Sequence, residues 1–239
     1  MSRVAQPVLT VVGVARAEEV VRFRLAHGEL PEAGLRSRGW EPLRPSEVRG
    51  SRDPHEVTIA YDVAPLAGDP PTPPPVPRDP GLVVAPGEEA APYQRLAAYA
   101  VVLSERGVLL SRFAGSTNAE GEWGLVGGGV DPGELPEDAV HREVWEESGQ
   151  RVEVTGLATV TSSHWVGRAP NGRLEDFHAV RVAYWADGID PSDPVVHDVG
   201  GTTAESRWVP LGELSRVPVV GSWGRELPRL LTERGLSIG

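Results

Sequence analysis

Apolar and polar positions recur with two different periods along this chain, and a proline-rich stretch separates the two regions they define. In the first region, the mostly β-branched run Val8, Leu9, Thr10, Val11, Val12 and Val14, broken by Gly13, predicts a strand. Val21-Arg22-Phe23-Arg24-Leu25 and Glu56-Val57-Thr58-Ile59-Ala60-Tyr61 alternate as half-buried strands do. Between them, residues 30–38 suit a short helix, with Pro31 near its start and Gly39 as its stop. Residues 65–92 contain ten prolines, including Pro70-Pro71-Thr72-Pro73-Pro74-Pro75, and predict a semi-rigid spacer. A ligand for a proline-recognition domain is disfavoured, because no aromatic or regularly spaced basic residue marks one.

Beyond the spacer, residues 96–103 and Gly107–Phe113 read as paired strands joined through Ser104-Glu105-Arg106. A glycine-rich turn and a helix over Pro136–Ser148 come next, then strands near 152–162, 177–185 and 207–209 and a last helix over 223–234. No internal repeat is visible. The pattern predicts an α/β/α sandwich with a mixed sheet over 93–239, preceded by a small α+β domain over 1–64 with 65–92 as linker.

With 239 residues and 40% hydrophobic content, the chain can form one substantial core and a smaller second one. Its formal charge of −11 argues against nucleic acid or an anionic membrane as partner and suits a site that gathers divalent cations. Residues 1–64 carry nine Arg against nine acids, so the negative charge belongs to the remainder, and a DNA-reading unit would be basic. All 23 basic residues are Arg, which fits the codon usage of a GC-rich genome. Without cysteine there is no disulfide, thiolate ligand or thiol nucleophile, and a metal must be held by oxygen or imidazole. The run Val8–Ala15 is too short to span a bilayer. Arg3 before it and Ala15-Arg16-Ala17 after it imitate a secretory leader, but the β-branched composition favours a strand and a cytoplasmic protein.

The chemistry concentrates in one stretch, Gly128-Gly129-Val130-Asp131-Pro132-Gly133-Glu134-Leu135-Pro136-Glu137-Asp138-Ala139-Val140-His141-Arg142-Glu143-Val144-Trp145-Glu146-Glu147-Ser148-Gly149-Gln150. It resembles the Nudix box at all seven invariant positions: Gly128, Glu134, Arg142, Glu143, Glu146, Glu147 and Gly149. With each letter at about 7% frequency, a chance match at one start point is on the order of 10⁻⁸. Gln150 departs from the box at its final apolar position, and Val126 stands where proline often precedes the glycines. The resemblance implies the Nudix fold from about Tyr93 onward and hydrolysis of a phosphoanhydride in a nucleoside diphosphate linked to another moiety.

Residues 143, 146 and 147 fall on one helical face, where three carboxylates repel one another unless a cation is present. A solvated acidic face is the plain alternative, but the glycines and Glu134 at box spacing favour a metal site. Hard oxygen donors of this kind suit Mg²⁺ or Mn²⁺, which can also polarise phosphate and activate water. By resemblance, Glu146 and Glu147 are the principal ligands, Glu143 is either a ligand or the base that orients water, and the Gly127 carbonyl completes the set. Also by resemblance, Arg142 orients a box glutamate and Glu134 ties the loop to the helix. Gly127 to Gly129 allow positive φ and close approach to phosphate, with Gly128 and Gly129 as substrate-contacting positions. Pro136 suits the helix start and Gly149 its end, while Leu135 is a poor N-cap and leaves that role to Asp138 and the loop.

Outside the box, Glu205, Glu175 and Asp176 are candidates for a further acid, with Glu205 ranked first for its place before the strand at Arg207. Arg112 is a candidate phosphate contact. Trp165, Phe177 and Trp123 could stack on a base, although core packing is the better expectation for each. His164 and His178 are expected to titrate near neutrality, without a catalytic assignment. The proline of ADP-ribose-cleaving members is not evident, since Trp165 and Val166 occupy its region, and Arg168 stands near the place of the tyrosine linked to dinucleoside polyphosphates. A ligand sensor working with the N-terminal unit is the alternative function, and a homodimer is a reasonable assembly.

Overall fold

The computed structural model describes residues 6–115, 120–198 and 201–239. Arg3, on which the leader expectation drew, lies outside them. The chain divides into two compact units, one comprising Met1–Ala97, Gly129–Leu135 and Thr159–Val182, the other Ala98–Gly128, Pro136–Ala158 and Ala183–Gly239.

In the first unit, strands β1 (Val8–Ala15), β2 (Glu18–Arg24), β3 (Trp40–Ser51) and β4 (Glu56–Pro65) form a mixed sheet in the order β2-β1-β4-β3, with helix α1 at Pro31–Ser37. β1 and β4 run parallel at its centre, with Val11 beside Ile59, and both outer strands are antiparallel to them. Leu9, Val11, Val57, Ile59 and Tyr61 from these two strands are buried, as are Phe23 and Leu35. Burying each such aliphatic side chain contributes roughly 2 kcal/mol. Ala15-Arg16-Ala17, the leader-like cleavage triplet, enters the β1–β2 hairpin turn, with Arg16 at φ 52° and Ala17 at φ 66°. Positive φ at both central positions matches the twist of the flanking strands. β3 has no counterpart in the sequence expectation because Pro42 and Pro45 interrupt its pattern. It is an edge strand whose register shifts at both prolines, and an edge tolerates the missing N–H donors.

The proline-rich segment is docked rather than detached. Asp79 N and Val166 N donate to the Val166 and Pro77 carbonyls at 2.9 Å each, and the Arg168 guanidinium forms a fork with the Glu88 carboxylate at 2.9 and 2.8 Å. That arginine holds the Glu88 carboxyl down at about 2.

The remaining strands are β5 (Ala91–Ser104), β6 (Gly107–Phe113), β7 (Trp123–Gly129), β8 (Arg151–Arg168), β9 (Leu174–Ile189) and β10 (Thr203–Val209), in the order β10-β6-β7-β5-β9-β8. Helices α2 (Pro136–Ser148) and α3 (Trp223–Glu233) accompany them, with a 3-10 turn at Leu211–Arg216. Within the second unit, Val101, Val108, Leu110, Trp123 and Leu125 pack with Trp223, Leu227, Leu230 and Leu231 of α3. The α/β architecture with a small N-terminal sheet is as expected. The glycine-rich turn is not a turn, since Gly127–Gly129 end strand β7. Three consecutive glycines lack the side chains that strand periodicity is read from. Among the described residues, no helix is long and apolar enough to cross a membrane.

Candidate active site

Helix α2 forms because Ala139, Val140 and Val144 recur at helical spacing and bury one stripe, while Glu137, His141 and Trp145 stay exposed. Its end is fixed by Gly149 at φ 66°, whose N–H donates to the Trp145 carbonyl at 2.8 Å. Carbonyls left open by the last turn are met from residues 195–198. Val195 N donates to Ser148 O, while His197 N and Asp198 N both donate to Glu146 O. The His197 ring stacks on Trp145 at 4.8 Å. Gln150, the departure from the box, is buried yet paired: its amide donates to Ser148 O and Ser192 Oγ, and its Oε1 accepts from Ser192 N. A polar side chain is tolerated there because each hydrogen-bonding group it buries has a partner.

At the C-terminal end of this helix Glu147 is only 5% exposed. Its Oε1 accepts from Thr203 Oγ1 at 2.6 Å and its Oε2 from Gly127 N at 3.1 Å. Ser206 Oγ donates to the Glu147 carbonyl at 2.7 Å and lies 2.7 Å from Ser111 Oγ. Burial pushes the Glu147 carboxyl up to about 7, against the lowering effect of the Thr203 and Gly127 hydrogen bonds, and the charge of Glu143 raises it further. Arg142 Nη1 donates to Glu143 at 2.9 Å and to Glu146 at 3.1 Å, so one guanidinium joins the other two box acids. Glu143, Glu146 and Glu147 thus share one helix with Arg142, and the N–H of Gly127 reaches Glu147 from the end of β7.

The glycines have separate reasons. Gly127 sits at φ 141°, and a Cβ there would strike the Ala98 carbonyl. A Cβ on Gly128 would meet the Glu143 carboxylate, and one on Gly129 would meet the tip of Arg95. Positive φ thus applies to Gly127 and not to Gly128 or Gly129. These hard oxygen donors, one buried and driven toward neutrality partly by its neighbour, fit a divalent cation, which relieves that repulsion.

The candidates outside the box have partners of their own. Glu205 and Arg112 lie opposite each other on β10 and β6 and form an ion pair at 2.8 Å. Glu175 pairs with Arg173 at 2.6 Å, and Asp176 faces two histidines. Trp123 belongs to the core of the second unit, with the Arg207 guanidinium 4.5 Å from its ring. Phe177 contacts Trp165 at 4.5 Å and Tyr93 at 5.4 Å in a half-buried aromatic group of the first unit. His178 does not titrate near neutrality, because burial and the nearby His27 and His164 lower it to about 4.

Three contributors escaped the sequence expectation. Thr203 and Ser206 stand on either side of Glu205 and are both buried although three positions apart, because the register of β10 shifts between Thr203 and Glu205, which simple alternation does not announce. Thr203→Val should raise the Glu147 carboxyl further and cost roughly 1–3 kcal/mol, read by denaturant titration and by a shift of the pH–activity profile to higher pH. The third is His55, which grips the box loop. Gly133 N donates to its Nδ1 at 3.1 Å, so its Nε2–H donates to the Glu134 carbonyl at 2.9 Å, while the Glu134 side chain accepts from Asp131 N.

These features define an α/β protein in which a glycine-ended strand meets an acidic helix at an oxygen-donor site. The NUDIX domain model matches residues 93–230, more than half of the chain, and the chain belongs to that family. Nucleoside triphosphatase NudI of Enterobacter sp. (strain 638) is 37% identical over 65 residues, 27% of this chain and 46% of the relative. NAD-capped RNA hydrolase NudC of Pseudomonas syringae pv. tomato is 31% identical over 147 residues, 61% of this chain and 46% of the relative. The chain spans about half the length of the curated relatives it matches. Among solved structures, a MutT NUDIX hydrolase from Burkholderia pseudomallei is 27% identical, with 56% of this chain and 96% of that chain covered and a TM-score of 0.43.

Proposed function

We propose that this protein is a divalent-metal-dependent pyrophosphohydrolase that cleaves a phosphoanhydride bond in a nucleoside diphosphate linked to another moiety. The observation that carries this reading is the buried Glu147 carboxylate, fixed by Gly127 N and Thr203 Oγ1 on the helix it shares with Glu143 and Glu146. Glu146, Glu147 and the Gly127 carbonyl would hold Mg²⁺ or Mn²⁺, with Glu143 as a further ligand or as the base. The ion, when bound, supplies charge neutralisation on phosphate and a lowered pKa for an attacking water. Arg142 holds Glu143 and Glu146 in place rather than binding substrate. Thr203 and Gly127 keep the Glu147 oxygens oriented and favour the ionised form that a cation requires. Glu205 and Arg112, already paired with each other, would act on substrate only after that pair opens.

The relatives' names point to two substrate types, nucleoside triphosphates and an NAD cap. The test is a panel with both, together with nucleotide sugars and other nucleoside diphosphate conjugates, incubated with Mg²⁺ and with chelator. Mg²⁺-dependent nucleotide or phosphate release that Glu147→Gln abolishes is expected. Release unaffected by that substitution would show the catalytic assignment to be wrong. The same proposal takes the enzyme as cytoplasmic and homodimeric, and a solution mass showing only monomer would remove the dimer.

A further inference from the structure

The first unit contains a second group of metal-competent side chains that the proposed hydrolysis does not use. His27 lies in the turn after β2, His164 on β8 and Asp176 on β9. His164 Nε2 is hydrogen-bonded to Asp176 Oδ1, and His27 Nε2 approaches the same oxygen at 3.3 Å. Their ligand atoms all lie within 4.8 Å of one another, and among the described residues this is the one group of three His or acidic side chains to do so. The two imidazoles meet edge to face at 5.5 Å. All three side chains are partly exposed, so an ion can reach them from solvent.

Residues behind the group hold it in this arrangement. His178 is fully buried, and its Nδ1 accepts the Gly28 N–H at 3.1 Å. Its remaining proton therefore sits on Nε2, facing Ser162 Oγ at 3.1 Å, and that hydroxyl donates to the Ala179 carbonyl. A neutral His178 thus fixes the backbone just after His27 without adding a charge beside the two imidazoles. Gly28, at φ 76°, leaves no room for a Cβ, which would overlap the His164 ring. The turn carrying His27 is consequently pressed against His164 by a residue only glycine can supply.

Two imidazole nitrogens and one carboxylate oxygen form a borderline donor set that suits Zn²⁺ and similar first-row ions better than Mg²⁺. We propose that His27, His164 and Asp176 bind one Zn²⁺-type cation, separate in donor chemistry from the all-oxygen site of α2. Three protein donors leave a tetrahedral ion one position short, to be filled by water or a small anion. His164 also lines a cleft of about 460 Å³ with Gly28, Glu29 and Pro73–Pro77, through which such a ligand would arrive.

The test uses the full chain, stripped with chelator and then held in excess Mg²⁺ so that the acidic helix is occupied. Co²⁺ is titrated as a spectroscopic probe and Zn²⁺ as its competitor. The expected result is one Co²⁺ per chain with a visible absorption band characteristic of few-coordinate nitrogen ligation, displaced by Zn²⁺. His27→Ala, on an exposed turn, should weaken binding by about 100-fold, as should His164→Ala, while Glu147→Gln should leave it unchanged. No band in wild type, or equal binding by wild type and His27→Ala, would overturn the proposal and leave the three side chains as a hydrogen-bond network only. Loss of binding in Glu147→Gln alone would overturn it too, by assigning the ion to the acidic helix.

Discussion

Glu147→Gln should make the metal-free protein more stable above pH 7 while lowering turnover on the order of 10³-fold. The Glu147 carboxyl is raised from 4.5 to about 7, first by burial and then by Glu143. A raised folded-state pKa means the native state binds the proton more tightly than the unfolded chain does. The stability this contributes is fully present below about pH 4.5 and is lost as pH rises through about 7. At 1.36 kcal/mol per unit, the loss amounts to roughly 3 kcal/mol, and a side-chain amide, which does not titrate, escapes it. That amide can still accept from Gly127 N through its oxygen and face Thr203 Oγ1 with its NH₂ group, so the substitution keeps the local hydrogen bonds. The measurement is the wild-type minus variant difference in melting temperature across pH 4–9 in chelator, which should grow negative between those two values. Parallel curves would refute the buried, metal-free carboxylate. Added Mg²⁺ at pH 8 should restore the wild type and leave the variant unmoved.

The second large effect separates two adjacent glycines. Gly128→Ala should reduce kcat on the order of 10²-fold with little change in stability, because its new methyl meets only the movable end of Glu143. Gly127→Ala should instead destabilise the fold by several kcal/mol. It places an L side chain at φ 141° and drives Cβ into the Ala98 backbone, which cannot step aside. Denaturant melts and turnover measured on the same preparations decide the matter. Equal loss of stability in both variants would mean that Gly128 serves the strand and not Glu143.

Much of this site is legible from residue order because a helix makes sequence spacing into spatial proximity. Residues 143, 146 and 147 are neighbours in any helix, and Pro136 and Gly149 mark its ends as expected. The strand at β1 is legible for the same local reason. What joins the site from elsewhere is not. Thr203 reaches Glu147 across 56 positions, and His55 reaches Gly133 across 78. A threonine or histidine isolated in sequence carries no spacing that could announce such a contact. Glu205 illustrates the converse: ranked first as a further acid, it lies two residues beyond the side chain that touches Glu147 and is itself paired with Arg112.

The sequence by itself determined the family and the acidic helix, because those depend on short-range order and on the chemistry of side chains. Only the tertiary structure decided which carboxylate is buried, which hydroxyl and backbone N–H orient it, and that His27, His164 and Asp176 meet at all. Burial and hydrogen bonding are properties of surfaces brought together by folding, and they set the protonation of Glu147 and His178, which the sequence leaves at their ordinary values.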